Sequence, residues 1–147
     1  MQIQTLQQLY NFEIENLAKE INSYSNSENL WITKENISNS GGNLALHIIG
    51  NLNHFIGVTL LQTNYVRNRE AEFSDKNISK DILFQQLKNA LEIVNQAFEK
   101  MTEDDLLKTY PYDFMGVNTT GFYLTRFLSH LSYHLGQVNY HRRLLDK

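Results

Sequence analysis

The chain has 147 residues, no cysteine, one proline and five histidines, with 13 basic residues against 16 acidic ones. That length suits one domain, residues 1–147, with room for a core that needs no disulfide staples. The missing cysteine excludes thiolate nucleophiles, iron–sulfur clusters and zinc ribbons, and a net charge of −3 speaks against a nucleic-acid-backbone binder. Any transition-metal site must therefore draw on histidine nitrogen and carboxylate oxygen. Met1-Gln2-Ile3-Gln4 lacks the basic-then-apolar order of a signal peptide, so a cytoplasmic location is the expectation.

Ile3, Leu6, Tyr10, Ile14, Leu17, Ile21 and Tyr24 recur at helical spacing and predict a first helix over about 3–23, interrupted only by Glu13. A long polar connection follows, carrying the apolar patch Leu30-Trp31-Ile32 and the break Ser38–Asn43, which offers several helix caps. The second helix is predicted over about 42–66, with Leu44, His47, Ile48, Asn51, Leu52, Phe55, Val58 and Gln62 facing inward. Gly50 and Gly57 weaken it by about 1 kcal/mol each relative to alanine, a cost that close approach of a neighbouring helix would offset. Residues 41–66 contain no Lys, Arg, Asp or Glu, yet His47, Asn51, Asn53, His54 and Gln62 make them too polar for a membrane span.

Residues 67–80 read as a charged connection. A third helix is expected over about 80–101, capped by Ser79 and striped by Leu83, Leu87, Ala90, Val94, Ala97, Phe98 and Met101. Thr102 and the acidic residues after it suit one short turn, and Tyr110–Asn118 suits a loop. The fourth helix, about 119–145, carries Leu124, Phe127, Leu131, His134, Val138, His141 and Leu145 on one stripe. With no strand pattern, the fold class is all-α, a four-helix bundle with a long connection between helices one and two.

All five histidines fall on helices two and four. His130 and His134 stand at i and i+4, so their side chains point the same way one turn apart. His47 lies on the inward face of helix two. Three imidazoles around one divalent ion, with one position open, suit a catalytic metal site. The same spacing also suits histidines that simply hydrogen-bond in a core. His54 and His141 lie seven residues further along each helix and are expected outside the ligand set, as pocket residues. Asn51 and Gln137 could orient ligands from behind. Helices two and four hold no carboxylate, and no Glu-x-x-His pair occurs, which excludes a ferritin-like di-iron site. General-base work would fall to an activated water or to an outlying group such as Asp113.

His130-Leu131-Ser132-Tyr133-His134-Leu135-Gly136-Gln137, followed by Arg142-Arg143, resembles the last-helix signature of the DinB-like (DinB/YfiT) superfamily. Leu44-Ala45-Leu46-His47-Ile48-Ile49-Gly50-Asn51-Leu52 resembles the segment that carries that family's first histidine. The resemblance implies a DinB/YfiT-like four-helix bundle holding one divalent transition metal, zinc or nickel, on His47, His130 and His134. It also implies a small-molecule substrate such as a low-molecular-weight thiol, with S-transfer or hydrolysis as the reaction, and neither a nucleic-acid nor a membrane partner. The catalytic residues stay unassigned. Two alternatives stand beside it: a metal-binding module without turnover, and a helical bundle that forms a homodimer with its histidines packed.

Overall fold

The computed structural model describes residues 2–147. Among these residues the regular structure is all helical, in five helices: α1 (Ile3–Asn22), α2 (Gly41–Leu61), α3 (Arg69–Ser74), α4 (Lys80–Lys100) and α5 (Thr120–Leu145). Two 3₁₀ turns, Ser27–Trp31 and Glu103–Leu107, complete it. The fifth helix is α3, inside the stretch that reads as a charged connection.

Local signals start the helices. Ser40, Asn68, Ser79 and Thr119 each accept a hydrogen bond from a backbone N–H of the first turn of the helix they precede. Thr102 and Asp105 form a capping box on the second 3₁₀ turn. The expected stripe of α1 is buried from Ile3 to Ile21, and that of α4 from Leu83 to Phe98. Glu13, the polar interruption in α1, accepts a hydrogen bond from Ser132 of α5 at 2.8 Å. The α1 helix packs on α4 and α5, while α2 packs on α3, α4 and α5, so the apolar faces of the four long helices meet in one core.

The α2 helix departs most from expectation. It starts at Gly41, where Tyr24 and Trp31 lie so close that a Cβ on Gly41 or Gly42 would clash with their rings. It ends at Leu61 rather than near 66, because Gln62 turns into the left-handed region at φ 56°. From Leu52 to Val58 it is a π-helix. Bonds from i to i+5 widen the turn, so the inward stripe slides. Leu52 and Ile56 are buried, while Phe55 and Val58 are only half-buried and Gln62 is exposed. By length and composition α2 is the one described helix apolar enough to cross a membrane. Every residue from Gly41 to Gly50 is nevertheless buried against the rest of the protein, which accounts for its apolarity.

A buried amide ties α3 to α2. Asn43 Nδ2 donates to the carbonyls of Glu72 and Asp75, each at 2.9 Å, and its Oδ1 accepts from Ser40 Oγ at 2.7 Å and from Lys76 Nζ. Asn43→Ala should lower stability by about 1–3 kcal/mol, because two carbonyls at the end of α3 lose their donor. Urea denaturation measures this, and an unchanged midpoint would contradict the role.

Candidate metal centre

His47 sits on the buried first half of α2, and His130 and His134 lie half-buried, one turn apart, on α5. The structure brings these three rings together. His130 Nε2 is 3.0 Å from His134 Nε2 and 3.4 Å from His47 Nε2, and one ligand atom from each ring lies within 4.8 Å of the others. With zinc–nitrogen bonds of about 2.0–2.1 Å, tetrahedral ligands stand about 3.3–3.4 Å apart. The two spacings from His130 lie near that value, as one small cation shared between the rings requires.

Hydrogen bonding on the far side of the rings sharpens this. His47 Nδ1 lies 2.9 Å from Glu72 Oε1, and an ionised carboxylate only accepts, so Nδ1 carries the proton. His134 Nδ1 lies 2.6 Å from Gln137 Oε1, also an acceptor. Both rings thus turn an Nε2 lone pair toward His130. One proton on His130 Nε2 can serve only one of these lone pairs, and the Asn51 amide meets the His47 one at 3.0 Å, whereas a cation would engage all three ring nitrogens at once. Such neutral imidazole donors suit zinc, copper, iron or nickel.

Burial keeps the rings neutral. It pushes His47 below its ordinary value, against the pull of Glu72. His130 falls to about 4, through burial first and then the neighbouring rings of His134 and His47. Burial also lowers His134, opposed by its bond to Gln137. The wall beside His130 and Asn51 is apolar, built from Ile48, Leu52, Phe127 and Leu131. Phe127 in turn stacks on Phe55 with ring centroids 4.9 Å apart.

A family model described as a protein of unknown function, DUF1572, matches residues 3–147. The chain belongs to the DUF1572 family. Neither a curated protein nor a solved structure matches it.

The remaining residues singled out in this DUF1572 chain take several positions. Gln137 lies behind His134, as described. Asn51 Nδ2 lies 3.0 Å from His47 Nε2, so its amide faces the nitrogen that would coordinate rather than the one behind it. His54 lies on the π-helix against Phe55 and Tyr112, with ring centroids 4.9 and 6.0 Å away. His141 is buried and engaged elsewhere: Nε2 lies 2.8 Å from the Ile32 carbonyl and Nδ1 2.7 Å from the Tyr24 hydroxyl. It fastens the long α1–α2 connection to α5 and also lines a groove of about 240 Å³ with Gln137 and Leu44. Asp113 is exposed on the 110–118 loop. Arg142 is held by Glu20 at 2.7 Å.

Glu72 and its partner Arg67 lie in the stretch that reads as a charged connection, where no spacing in the sequence ties them to the histidines. The donor nitrogens are all imidazole, but a carboxylate from α3 stands behind His47. Phe73 of the same short helix packs on the His47 ring at 4.9 Å. The one signal in the sequence is Gly50, a glycine inside an apolar helix one turn beyond His47.

Proposed function

We propose that this DUF1572 protein is a metal-dependent member of the DinB-like superfamily, a four-helix bundle forming one domain over residues 1–147. In this reading His47, His130 and His134 hold one zinc or nickel ion through their Nε2 atoms. The substrate is a small molecule, with a low-molecular-weight thiol as the leading class, and the reaction is S-transfer or hydrolysis. The observation that carries the proposal is the convergence of three imidazoles, two of them with the proton fixed on the outward nitrogen by Glu72 and Gln137.

A divalent ion held there supplies Lewis acidity that lowers the pKa of a bound water or thiol. The chain's own residues do the rest. Glu72 and Gln137 orient two rings, and the Phe127 side keeps water from one flank of His130. Half-burial of His130 and His134 leaves the centre reachable from solvent. The neutral ligand set leaves the positive charge of the ion available to an incoming anion or thiolate.

Metal analysis of protein purified without a polyhistidine tag, then incubated with zinc or nickel and desalted, tests the reading. About one equivalent of metal is expected, and less than about half an equivalent overturns it. A metal-binding module without turnover shares the same site. Assays of the metal-loaded protein with a panel of thiols and electrophiles separate the two, since turnover above buffer belongs to the enzyme alone.

A further inference from the structure

The acidic residue behind His47 is unusually placed. The Arg67–Glu72 pair is largely buried, with side-chain exposures of 13% and 6%. Buried ion pairs are costly to desolvate and form where their hydrogen bonds are complete. Here they are. Glu72 Oε2 accepts from Arg67 Nε at 2.8 Å, and Oε1 accepts from Arg67 Nη2 at 2.8 Å and from His47 Nδ1 at 2.9 Å. Arg67 in turn lies over the Phe55 ring, 5.5 Å from its centroid.

The α2 helix is shaped to admit this carboxylate. A Cβ on Gly50 would stand 2.1 Å from Glu72 Oε2 and 2.6 Å from its Cδ. Both atoms belong to a side chain locked by Arg67, so it cannot step aside without giving up these bonds. Asn43, two turns earlier on the same helix, grips the backbone carbonyl of Glu72. Two separate features of α2, an absent side chain and a buried amide, thus place one carboxylate behind one histidine.

The geometry points to Glu72 as a positioning residue of the metal centre, clamped by Arg67 and admitted by Gly50, that fixes His47 as the Nδ1–H tautomer. This rests on the metal reading above. The carboxylate holds the ring's rotation and its proton, so the Nε2 lone pair faces the other two imidazoles before any ion arrives. Arg67 offsets the charge of the carboxylate that stands beside the ring. Histidine ligands backed by a carboxylate in this way typically lose tenfold to a hundredfold in metal affinity when the backing group is removed.

The test is zinc binding by competition with a chromogenic chelator, run on the wild type, His130→Ala, Glu72→Gln, Gly50→Ala and Gly136→Ala. Glu72→Gln should bind zinc about tenfold to a hundredfold more weakly, since either placement of the amide turns its NH2 against an N–H of Arg67 and His47 Nδ1–H loses a charged acceptor. Gly50→Ala should show a similar loss, although it leaves every ionisable group in place. Gly136→Ala should bind like the wild type, because nothing lies within 4 Å of the added Cβ. A second readout uses no metal: long-range ¹⁵N–¹H spectra of the metal-free protein should show His47 as Nδ1–H, and Glu72→Gln should lower the share of that form. Wild-type affinity in both Glu72→Gln and Gly50→Ala, with the His47 tautomer unchanged, overturns the inference and leaves the metal reading standing. Zinc binding that is absent or indifferent to His130→Ala overturns the metal reading itself.

Discussion

Replacing His130 with alanine should abolish tight metal binding and, with it, the metal-dependent part of the protein's stability. His130 is the hinge of the triad, since its Nε2 is within 3.0 Å of His134 and 3.4 Å of His47. A ligand that binds only the folded state stabilises it by about 4 kcal/mol at a thousandfold excess over its Kd. For a chain of this length that is roughly a 10 °C shift in Tm. Thermal unfolding with and without added zinc should therefore separate the wild type from His130→Ala, and a chelator should abolish the gap. His54→Ala should keep the shift, because His54 packs against Phe55 and Tyr112 away from the converging nitrogens. His141→Ala should also keep it while lowering the baseline Tm, because the Tyr24 hydroxyl and the Ile32 carbonyl lose a buried partner. A wild type indifferent to zinc, or a His130→Ala variant stabilised equally, would count against the centre.

The metal-free protein should lose stability as the pH falls from about 6.5 to about 4. Burial lowers the pKa of His47, His130, His134 and His141 in the folded protein, and His130 reaches about 4. In the unfolded chain these groups titrate near 6.5. Between the two values the unfolded chain binds more protons, so stability rises with pH through that window and falls on acidification. His130's contribution is complete above about 6.5 and gone below about 4. A second, lower window belongs to Asp146, held down to about 2 by Asn29 and Ser25, and to Asp105, held down to about 2 by Lys108 and Thr102. Urea denaturation in the presence of chelator, at pH 7.5, 6, 5 and 4, should show the midpoint dropping mostly across the first window. His130→Ala should flatten the profile by removing the most shifted ring. A wild-type midpoint constant between pH 7.5 and 5 would show that the histidines are not buried as neutral rings.

Much of this protein is readable one helix at a time. The stripes of α1 and α4, the caps at Ser79 and Thr119, and the capping turn at Thr102 are decided within a few residues, because a helix forms its bonds to near neighbours. The pairing of His130 with His134 is equally local, set by one turn of α5. The length of α2 is not, because the π segment and the left-handed Gln62 carry no strong marker in the sequence. α3 is hidden for a related reason. A six-residue helix is too short for a periodic stripe, and it owes its position to Asn43 far upstream.

The same division runs through the site. The sequence by itself determined that any metal would meet imidazole nitrogen, since it contains no thiolate and no carboxylate on the histidine-bearing helices. It also placed His47, His130 and His134 on two helices at spacings that let them meet. Only the tertiary structure decided which nitrogen of each ring faces the others, and which group stands behind His47. That depends on Glu72, 25 residues away along the chain, entering a space that Gly50 leaves open. Helical periodicity is a property of neighbouring residues, whereas the tautomer of a buried histidine is set by whatever the fold brings to its other nitrogen.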